Sequence, residues 1–565
     1  MMESPYFLGI HVGHDCNVSV MDADGRVLFA AGEERFNRQK MFAGFPAQSL
    51  AFVLDRFGRN VSYLATARMR MREKLVRELR FFVTSFAHRR AAPRFSIWVK
   101  NGLNKLFSGR SLEAHVQDTG IDPEWPVENV EHHRAHAAGA FYHSGFDRAW
   151  IMTLDGEGDG LSCAFYRGSR TGGLESVCTF FHNDVTVGRD YEKVTAMLGF
   201  HPIRHPGKVT GLAAYGKYHE DCIADLRDYL DQAWVSDRSR ILSPAEAYQV
   251  IEPEGLQKLR EMRQTRFGRY SREDIAFSIQ WLTEQKVQEL IRRTIPDIET
   301  SSICLAGGVF ANVSVNRRVK AMGFQSVFVM PAMTDCGLSL GAGLFCHPNR
   351  SRIPAADTMY FGCSYTPDEI RHVLDQRSVA YTCPANMART VAELLAAGKV
   401  IARFDGAMEF GPRALGNRSI LYHCGDPSVN DWLNRQLNRT EFMPFAPVTM
   451  EPFAADRYEN YRGAERTARF MTITFACSPQ MHQESPAVVH VDGTARPQII
   501  HEQDNPGYYA ILDAYYHLSG IPTLVNTSFN MHEEPIVRTP VEALAAFESS
   551  HLDALIAGPY LVRRS

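Results

Sequence analysis

Apolar residues gather in short runs that break at glycine, and this rhythm sets the expected elements. "YFLGIHVG", "NVSVMD" and "RVLFAAG", within residues 6–32, are separated by a glycine turn and by the hairpin pair Asp24–Gly25, which predicts three strands at the head of an α/β domain. Another buried strand is predicted for "AWIMTLD" (149–155). Two more open "ICLAGGVFANVSVN" (303–316) and "VFVMPAMTDCGLSLGAGLF" (327–345), each running through glycine into a helix start. Most of 217–300 has amphipathic helical periodicity. "HPNRSRIP" (347–354) contains prolines and no apolar run, so a domain boundary is placed there, dividing 1–350 from 351–565. "VIARFDGAMEFGPRALGNRSI" (400–420) then reads as strand, turn and helix start in a second α/β domain.

The chemistry sits in the turns of this pattern. His132 and His136 are one helical turn apart, on one face, just before "DGEGDG" (155–160). Such a pair can ligate a divalent metal with a nearby carboxylate, and the alternative is a helix with exposed or core histidines. Asp335 is the carboxylate nominated to join them. In 155–160, Asp155 and Asp159 alternate with Gly156, Gly158 and Gly160, which suits close backbone approach to a nucleotide phosphate. A calcium loop would require further oxygen ligands and a closing glutamate that are missing. Lys208, in "HPGKVTGLAAYG", is placed to meet an anion at a helix start, and Gly307–Gly308 form a similar turn. His14 and Asp15 sit at the tip of the first hairpin. Glu33, Glu34, Arg35, Arg38 and Lys40 follow as a solvated face or a pocket rim. In the second domain Arg413 and Arg418 flank a glycine-bearing turn, a pattern suited to bidentate capture of phosphate or carboxylate, or else to ordinary surface loops. Arg439, His490, Arg496, Asn526 and Ser528 are polar groups at turns between apolar runs.

Composition narrows the classes. The 565 residues imply two large domains, and 61 basic against 64 acidic residues give a net charge of −3, with no global pull toward nucleic acid or membrane. Eleven cysteines, odd in number and never spaced C-x-x-C, argue against a disulfide framework or zinc knuckle and for a reducing cytoplasm. No basic-then-apolar leader and no bilayer-length apolar span is visible. No Ser–His–Asp or Cys–His signature supports covalent catalysis. The one anomaly is a basic stretch with twelve Lys or Arg between Arg68 and Arg110 against two Glu, interleaved with aromatics. It reads as a solvated helical insertion or as a surface that recruits an anionic substrate or an acidic membrane face.

In order along the chain, "LGIHVGHDCNVSV", "EERFNRQK", "HHRAHAAGAFYHSGF", "LDGEGDG", "GKVTGLAAYG", "LAGGVFAN", "MEFGPRALGNRSIL", "HVDGTARPQ" and "NTSFN" resemble the O-carbamoyltransferases of nodulation-factor, tobramycin and cephamycin biosynthesis. Residues 66–125 fall outside the resemblance. It implies an N-terminal domain of the actin-like ATPase fold, with ribonuclease-H-like lobes, and a C-terminal α/β, YrdC-like domain. The second would form carbamoyl-adenylate from carbamoyl phosphate and ATP, and the first would pass the carbamoyl group to an acceptor hydroxyl. It further implies a metal, iron, on His132, His136, Asp335 and Asp155. Gly307, Gly308 and Asn312 are implied as nucleotide contacts, joining Gly156 and Gly158 of the phosphate turn read above. Arg413, Arg418, Arg496, Asn526 and Ser528 are implied as carbamoyl-phosphate and ATP contacts, and His14 as a general base.

Two departures stand out. "LNRTEFMPFAP" places Leu437, Asn438 and Met443 where lysine and arginine are usual, which shifts the phosphate contact to Arg435 or Arg439. The usual Glu-Gly-Lys is here His205–Pro206–Gly207–Lys208. The expected acceptor is a small-molecule hydroxyl, on a sugar, glycolipid or natural product, anionic if the basic stretch lines the pocket. Nucleic acid is not an expected partner, and a homodimer is. The rival functions are a catalytically silent nucleotide-binding scaffold and a tRNA threonylcarbamoylation enzyme.

Overall fold

The computed structural model describes residues 6–67, 122, 124–182, 184–236, 253–436, 442 and 444–564. The whole basic stretch from Arg68 to Arg110, together with Leu437, Asn438, Arg439 and Met443, lies outside them.

The expected opening hairpins form. β1 (Tyr6–His11), β2 (Asn17–Met21), β3 (Val27–Gly32), β4 (Val61–Thr66) and β5 (Val127–Asn129) make a sheet ordered β3-β2-β1-β4-β5. β1, β2 and β3 run antiparallel, while β1, β4 and β5 run parallel. A second sheet repeats this layout from β6 (Arg148–Gly158), β7 (Leu161–Ser169), β8 (Gly173–Phe181), β9 (Ser302–Ala306) and β10 (Ser326–Val329). Its order is β8-β7-β6-β9-β10, again with an antiparallel trio and a parallel trio sharing the central strand. One topology used twice is the two-lobed actin-like plan. Parallel pairing needs a long crossover, and helix supplies it between β1 and β4, between β6 and β9 and between β9 and β10.

Two helices cross where the lobes meet, His132–Ser144 and Leu338–Cys346. Nearly every residue of the first is buried, so it has no apolar stripe to be read from its sequence. Gly341 permits the crossing, since a Cβ there would lie 2.0 Å from the Ala135 carbonyl oxygen.

The strands of the third sheet follow the proline-bearing stretch 347–354. They are β11 (Tyr381–Thr382), β12 (Ile401–Phe404), β13 (Arg418–His423) and β14 (Ala446–Met450), then, after the small pair β15 (Phe475–Ala476) and β16 (Thr494–Ala495), β17 (Gln498–Ile500), β18 (Thr523–Ser528), β19 (Ala554–Ala557) and β20 (Tyr560–Arg563). The mixed sheet is ordered β11-β20-β19-β12-β13-β18-β14-β17.

The third sheet's surroundings dock on the edge of the second lobe. Val327 N–H donates to the Gly463 carbonyl, and Asn316 Nδ2 donates to the Thr472 carbonyl. Phe410, Leu415, Phe470 and Met471 share one apolar core with Phe328 and Val329. The edge of β10 is thereby covered, which removes an exposed pairing surface.

Candidate active site

The helix His132–Ser144 begins after β5, and its first turn is held by Glu131, whose carboxylate accepts from the N–H groups of His133 and Arg134. Asp155 lies near the carboxyl end of β6, Gly307–Gly308 follow β9, Asp335 follows β10, and His14–Asp15 follow β1. These are the carboxyl ends of the parallel strands, where open α/β sheets gather ligand sites.

His132 and His136 face Asp155 and Asp335. His136 Nε2 is 3.3 Å from Asp155 Oδ2 and 3.6 Å from Asp335 Oδ1, and His132 Nε2 is 3.7 and 3.6 Å from the same oxygens. One ligand atom from each of the four residues lies within 4.8 Å of the other three. Donors bonded to one divalent ion at about 2.0–2.2 Å sit roughly 3–3.6 Å apart, so the set fits a metal with little movement. Both Nε2 atoms are buried and have no hydrogen-bond partner. Native proteins rarely leave such atoms unsatisfied, and the donor set suits a borderline divalent cation.

The electrostatics point the same way. Burial alone would raise Asp155, but the facing imidazoles of His132 and His136 outweigh it and hold the carboxyl well below the usual range. Asp335 is likewise lowered, His132 and His136 overcoming its burial. His132 is pushed up to about 9 because Asp335 and Asp155 outweigh its burial. Two anions thus face the His132 imidazole, which binds its proton tightly, and a metal would compete with that proton for the same lone pair.

Neighbouring groups fix the ligands. Asp155 Oδ1 accepts from Gly156 N–H at 2.7 Å, and Oδ2 accepts from Gly308 N–H at 3.1 Å. Asn17 Nδ2 donates to the Asp335 carbonyl at 2.9 Å, and His132 N–H donates to Asp159 Oδ2 at 3.1 Å. A Cβ at Gly158 would lie 2.0 Å from the His132 ring, so only glycine lets this strand pass the ligand.

The nucleotide candidates adjoin the cluster. Gly307 N–H is bonded to the Met333 carbonyl, and Asn312 caps the next helix and exchanges hydrogen bonds with Gln280 at 2.7 and 3.2 Å. Lys208 is buried in the first turn of the Pro206–Ala213 helix. His14 Nδ1 is 3.5 Å from Asp15 Oδ2, and burial raises Asp15 to about 7.

Two neighbours were not singled out in the sequence. His11 Nε2 lies 3.9 Å from Asp335 Oδ2 and is lowered to about 4 by burial. Glu192, raised to about 7 by burial, puts Oε1 3.5 Å from where a Gly156 Cβ would stand. Glu192 sits mid-helix among polar neighbours, and nothing local distinguishes it from a solvated glutamate.

In the third sheet the arginine turn divides. Arg418 is fully buried, its Nη1 donating to the carbonyls of Asp405 and Asn417 and its Nη2 to those of Cys363 and Gly406. Its guanidinium lies 3.9 Å from the Phe404 ring centroid, and burial brings its pKa down to about 10. The resemblance assigns Arg418 a phosphate contact, and in the folded chain only its Nε is without a hydrogen-bond partner. Its Nη donors are spent on backbone, and it pins the turn.

Glu409 completes that turn, one carboxylate oxygen accepting from Leu415, Asn417 and Arg418 N–H. Arg413 is half-buried in the same turn. Arg496 and His490 line a small cleft together with Phe445, Ala446 and Thr494. Ala446 is the register partner of Asn526, whose Nδ2 donates to Gln498 at 2.7 Å. Ser528 ends β18, and Arg435 is exposed on a separate helix.

Duplicated lobes carrying an imidazole and carboxylate cluster at their carboxyl edges, extended by a third mixed sheet, define a two-lobed α/β enzyme of the actin-like ATPase architecture. Residues 6–344 match the family described as carbamoyltransferase N-terminus, and residues 392–564 the one described as carbamoyltransferase C-terminus. The chain belongs to the carbamoyltransferase family and is an enzyme of that class. It is 30% identical to nodulation protein NolNO of Sinorhizobium fredii over 98% of this chain and 79% of that protein. It is 32% identical to nodulation protein NolO of Bradyrhizobium diazoefficiens over 77% and 79%. Component A of the (R)-2-hydroxyglutaryl-CoA dehydratase of Acidaminococcus fermentans aligns with a TM-score of 0.34 and 13% identity, over 62% of this chain and 100% of that one. Among the described residues no helix is long and apolar enough to cross a membrane.

Proposed function

We propose that this chain is an ATP-using, cytoplasmic O-carbamoyltransferase with two stations, residues 351–565 forming carbamoyl-adenylate and residues 1–350 transferring the carbamoyl group to an acceptor hydroxyl. The observation that carries the reading is the pair of buried imidazole nitrogens, without hydrogen-bond partners, facing two anionic carboxylates in a member of the carbamoyltransferase family. His132, His136, Asp155 and Asp335 would hold a divalent metal, iron by resemblance. Bound there, it would act as a Lewis acid on an oxygen of the activated carbamoyl group.

At the first station carbamoyl phosphate and water give carbamate and phosphate. A carbamate oxygen then attacks the α-phosphorus of ATP, and pyrophosphate leaves. The transferring groups are anionic, so the station needs fixed cations, and Arg413 and Arg496 with Asn526 and Ser528 are the residues assigned to it. At the second station the acceptor oxygen bonds to the carbamoyl carbon and the bond from that carbon to the AMP oxygen breaks. His14, beside Asp15, is assigned to take the hydroxyl proton. Gly307, Gly308 and Asn312 would seat the adenosine, with Lys208 and the Gly156 and Gly158 turn bordering the phosphate. The mixed anhydride is readily hydrolysed, which gives a single chain carrying both stations an advantage over free diffusion.

The test is mass spectrometry of candidate hydroxyl acceptors, phosphorylated sugars among them, incubated with purified enzyme, ATP and carbamoyl phosphate. Gain of one carbamoyl group that requires both cosubstrates supports the reading. Carbamoyl-phosphate-dependent ATP–pyrophosphate exchange should survive His136→Ala while product formation is lost. Loss of both together overturns the division into stations.

A further inference from the structure

The departure at His205–Lys208 has a partner on the other side of the seam. Glu533 follows β18 by five residues, and its Oε1 accepts from His205 Nε2 at 3.0 Å. His201 N–H donates to His205 Nδ1 at 3.2 Å, which leaves the ring proton on Nε2, aimed at the carboxylate. Arg204 Nη1 reaches the other carboxylate oxygen at 3.4 Å. From the first lobe, Arg38 donates to the carbonyls of Pro535 and Ile536 at 2.7 and 2.8 Å, and Arg538 Nε donates to the Arg35 carbonyl at 3.0 Å. The segment 530–538 is thus gripped by both lobes as it leaves the third sheet.

Stability does not account for the contact. Glu533 has φ +60°, a left-handed backbone that glycine adopts without cost and glutamate does not. The side chains are partly exposed, at 21% for His205 and 35% for Glu533, and such pairs return little folding energy. A chain selected for stability alone would carry glycine at 533.

The position supplies a reason. His205 is three residues before buried Lys208, on the helix whose Thr210 meets the Tyr191 hydroxyl at 2.9 Å, and the next residue, Glu192, abuts Gly156 of the second station. Glu533 is five residues beyond Ser528 of the first. We infer that His205 and Glu533 form an inter-station latch, a positioning pair that holds the seam closed while the activated carbamoyl group is in transit. The inference rests on the two-station reading above. When the latch is open, water attacks the carbamoyl carbon of the adenylate, giving carbamate and AMP, and ATP is consumed without product.

The test needs no acceptor. Full-length wild type, Glu533→Gly, His205→Ala and Glu533→Gln are compared for carbamoyl-phosphate-dependent ATP–pyrophosphate exchange and for net AMP release in the absence of acceptor. Glu533→Gly relaxes its own backbone, so it stays folded. It and His205→Ala should keep wild-type exchange while AMP release rises several-fold. Glu533→Gln, which retains the accepting oxygen, should release AMP near the wild-type rate. Normal exchange with unchanged AMP release in Glu533→Gly overturns the latch alone, as does a Glu533→Gln variant that leaks equally. Absence of exchange in the wild type overturns the two-station reading and the latch with it.

Discussion

The histidine cluster of the lobes and the arginine turn of the third sheet look alike as sequence, cationic side chains beside glycine, and are opposites as structure. His132 and His136 are buried with Nε2 atoms that have no hydrogen-bond partner, whereas Arg418 is buried with both Nη groups donating to carbonyls. Burial costs a polar group its water in both places. In the arginine turn the protein returns every Nη hydrogen bond, and in the cluster it returns none to the two Nε2 atoms. The difference is one of degree: Arg418 leaves only its Nε without a partner, whereas each histidine turns a partnerless Nε2 toward two carboxylates.

The comparison breaks most readily at His136. His136→Ala should abolish bound metal, read by elemental analysis of purified protein, and lower product formation by more than about 100-fold, since lost outer-shell partners alone cost 10–100-fold. Full metal content in that variant would put the ligand set elsewhere. Arg418→Ala should act on folding instead, removing the guanidinium that ties four carbonyls together and destabilising the chain by about 3–5 kcal/mol in denaturant titration. Exchange activity per folded molecule should fall far less than in Arg413→Ala, whose melting temperature should stay near wild type. A stable, inactive Arg418→Ala would restore that residue to the phosphate site.

A smaller effect tests the steric side. Gly158→Ala drives a methyl group into the His132 ring, at an expected 1–3 kcal/mol of destabilisation together with weakened metal binding. Unchanged metal affinity there would show that the ring can move aside. The mildest test is Asp15→Asn. Asp15 is raised to about 7 in the folded chain from an ordinary 3.8, so between those values the folded state holds the extra proton and stability falls as pH rises. The asparagine variant lacks that slope. From pH 5 to 7 it should gain on wild type by roughly 1 kcal/mol per pH unit at most, read from paired melts. Parallel pH profiles would mean that Asp15 stays ionised.

What was legible in the sequence was local. The i, i+4 spacing put His132 and His136 on one face, and glycine punctuation marked the strand ends that carry Asp155, Gly307 and Asp335. That Asp335 meets Asp155 across 179 intervening residues follows only from the parallel pairing of β6, β9 and β10, which no spacing encodes. The burial of Arg418 is non-local in the same way. Its local pattern is that of a phosphate turn, and the carbonyls that consume it come partly from Cys363, a different segment. Glu192 and Glu533 were missed because each acquires meaning only from a neighbour brought in by tertiary packing. The order of the third sheet, which places β20 between β11 and β19, is equally non-local.

The repeated sheet order has one more consequence. Asp15 and Asp159 each stand two residues before the second strand of their lobe, with φ of 52° and 50°. The molecule therefore contains the same aspartate turn twice, once accepting from the His132 backbone and once buried beside His14. Each turn is the internal standard for the other: a substitution made at both separates what the turn requires of its aspartate from what the chemistry has since asked of it.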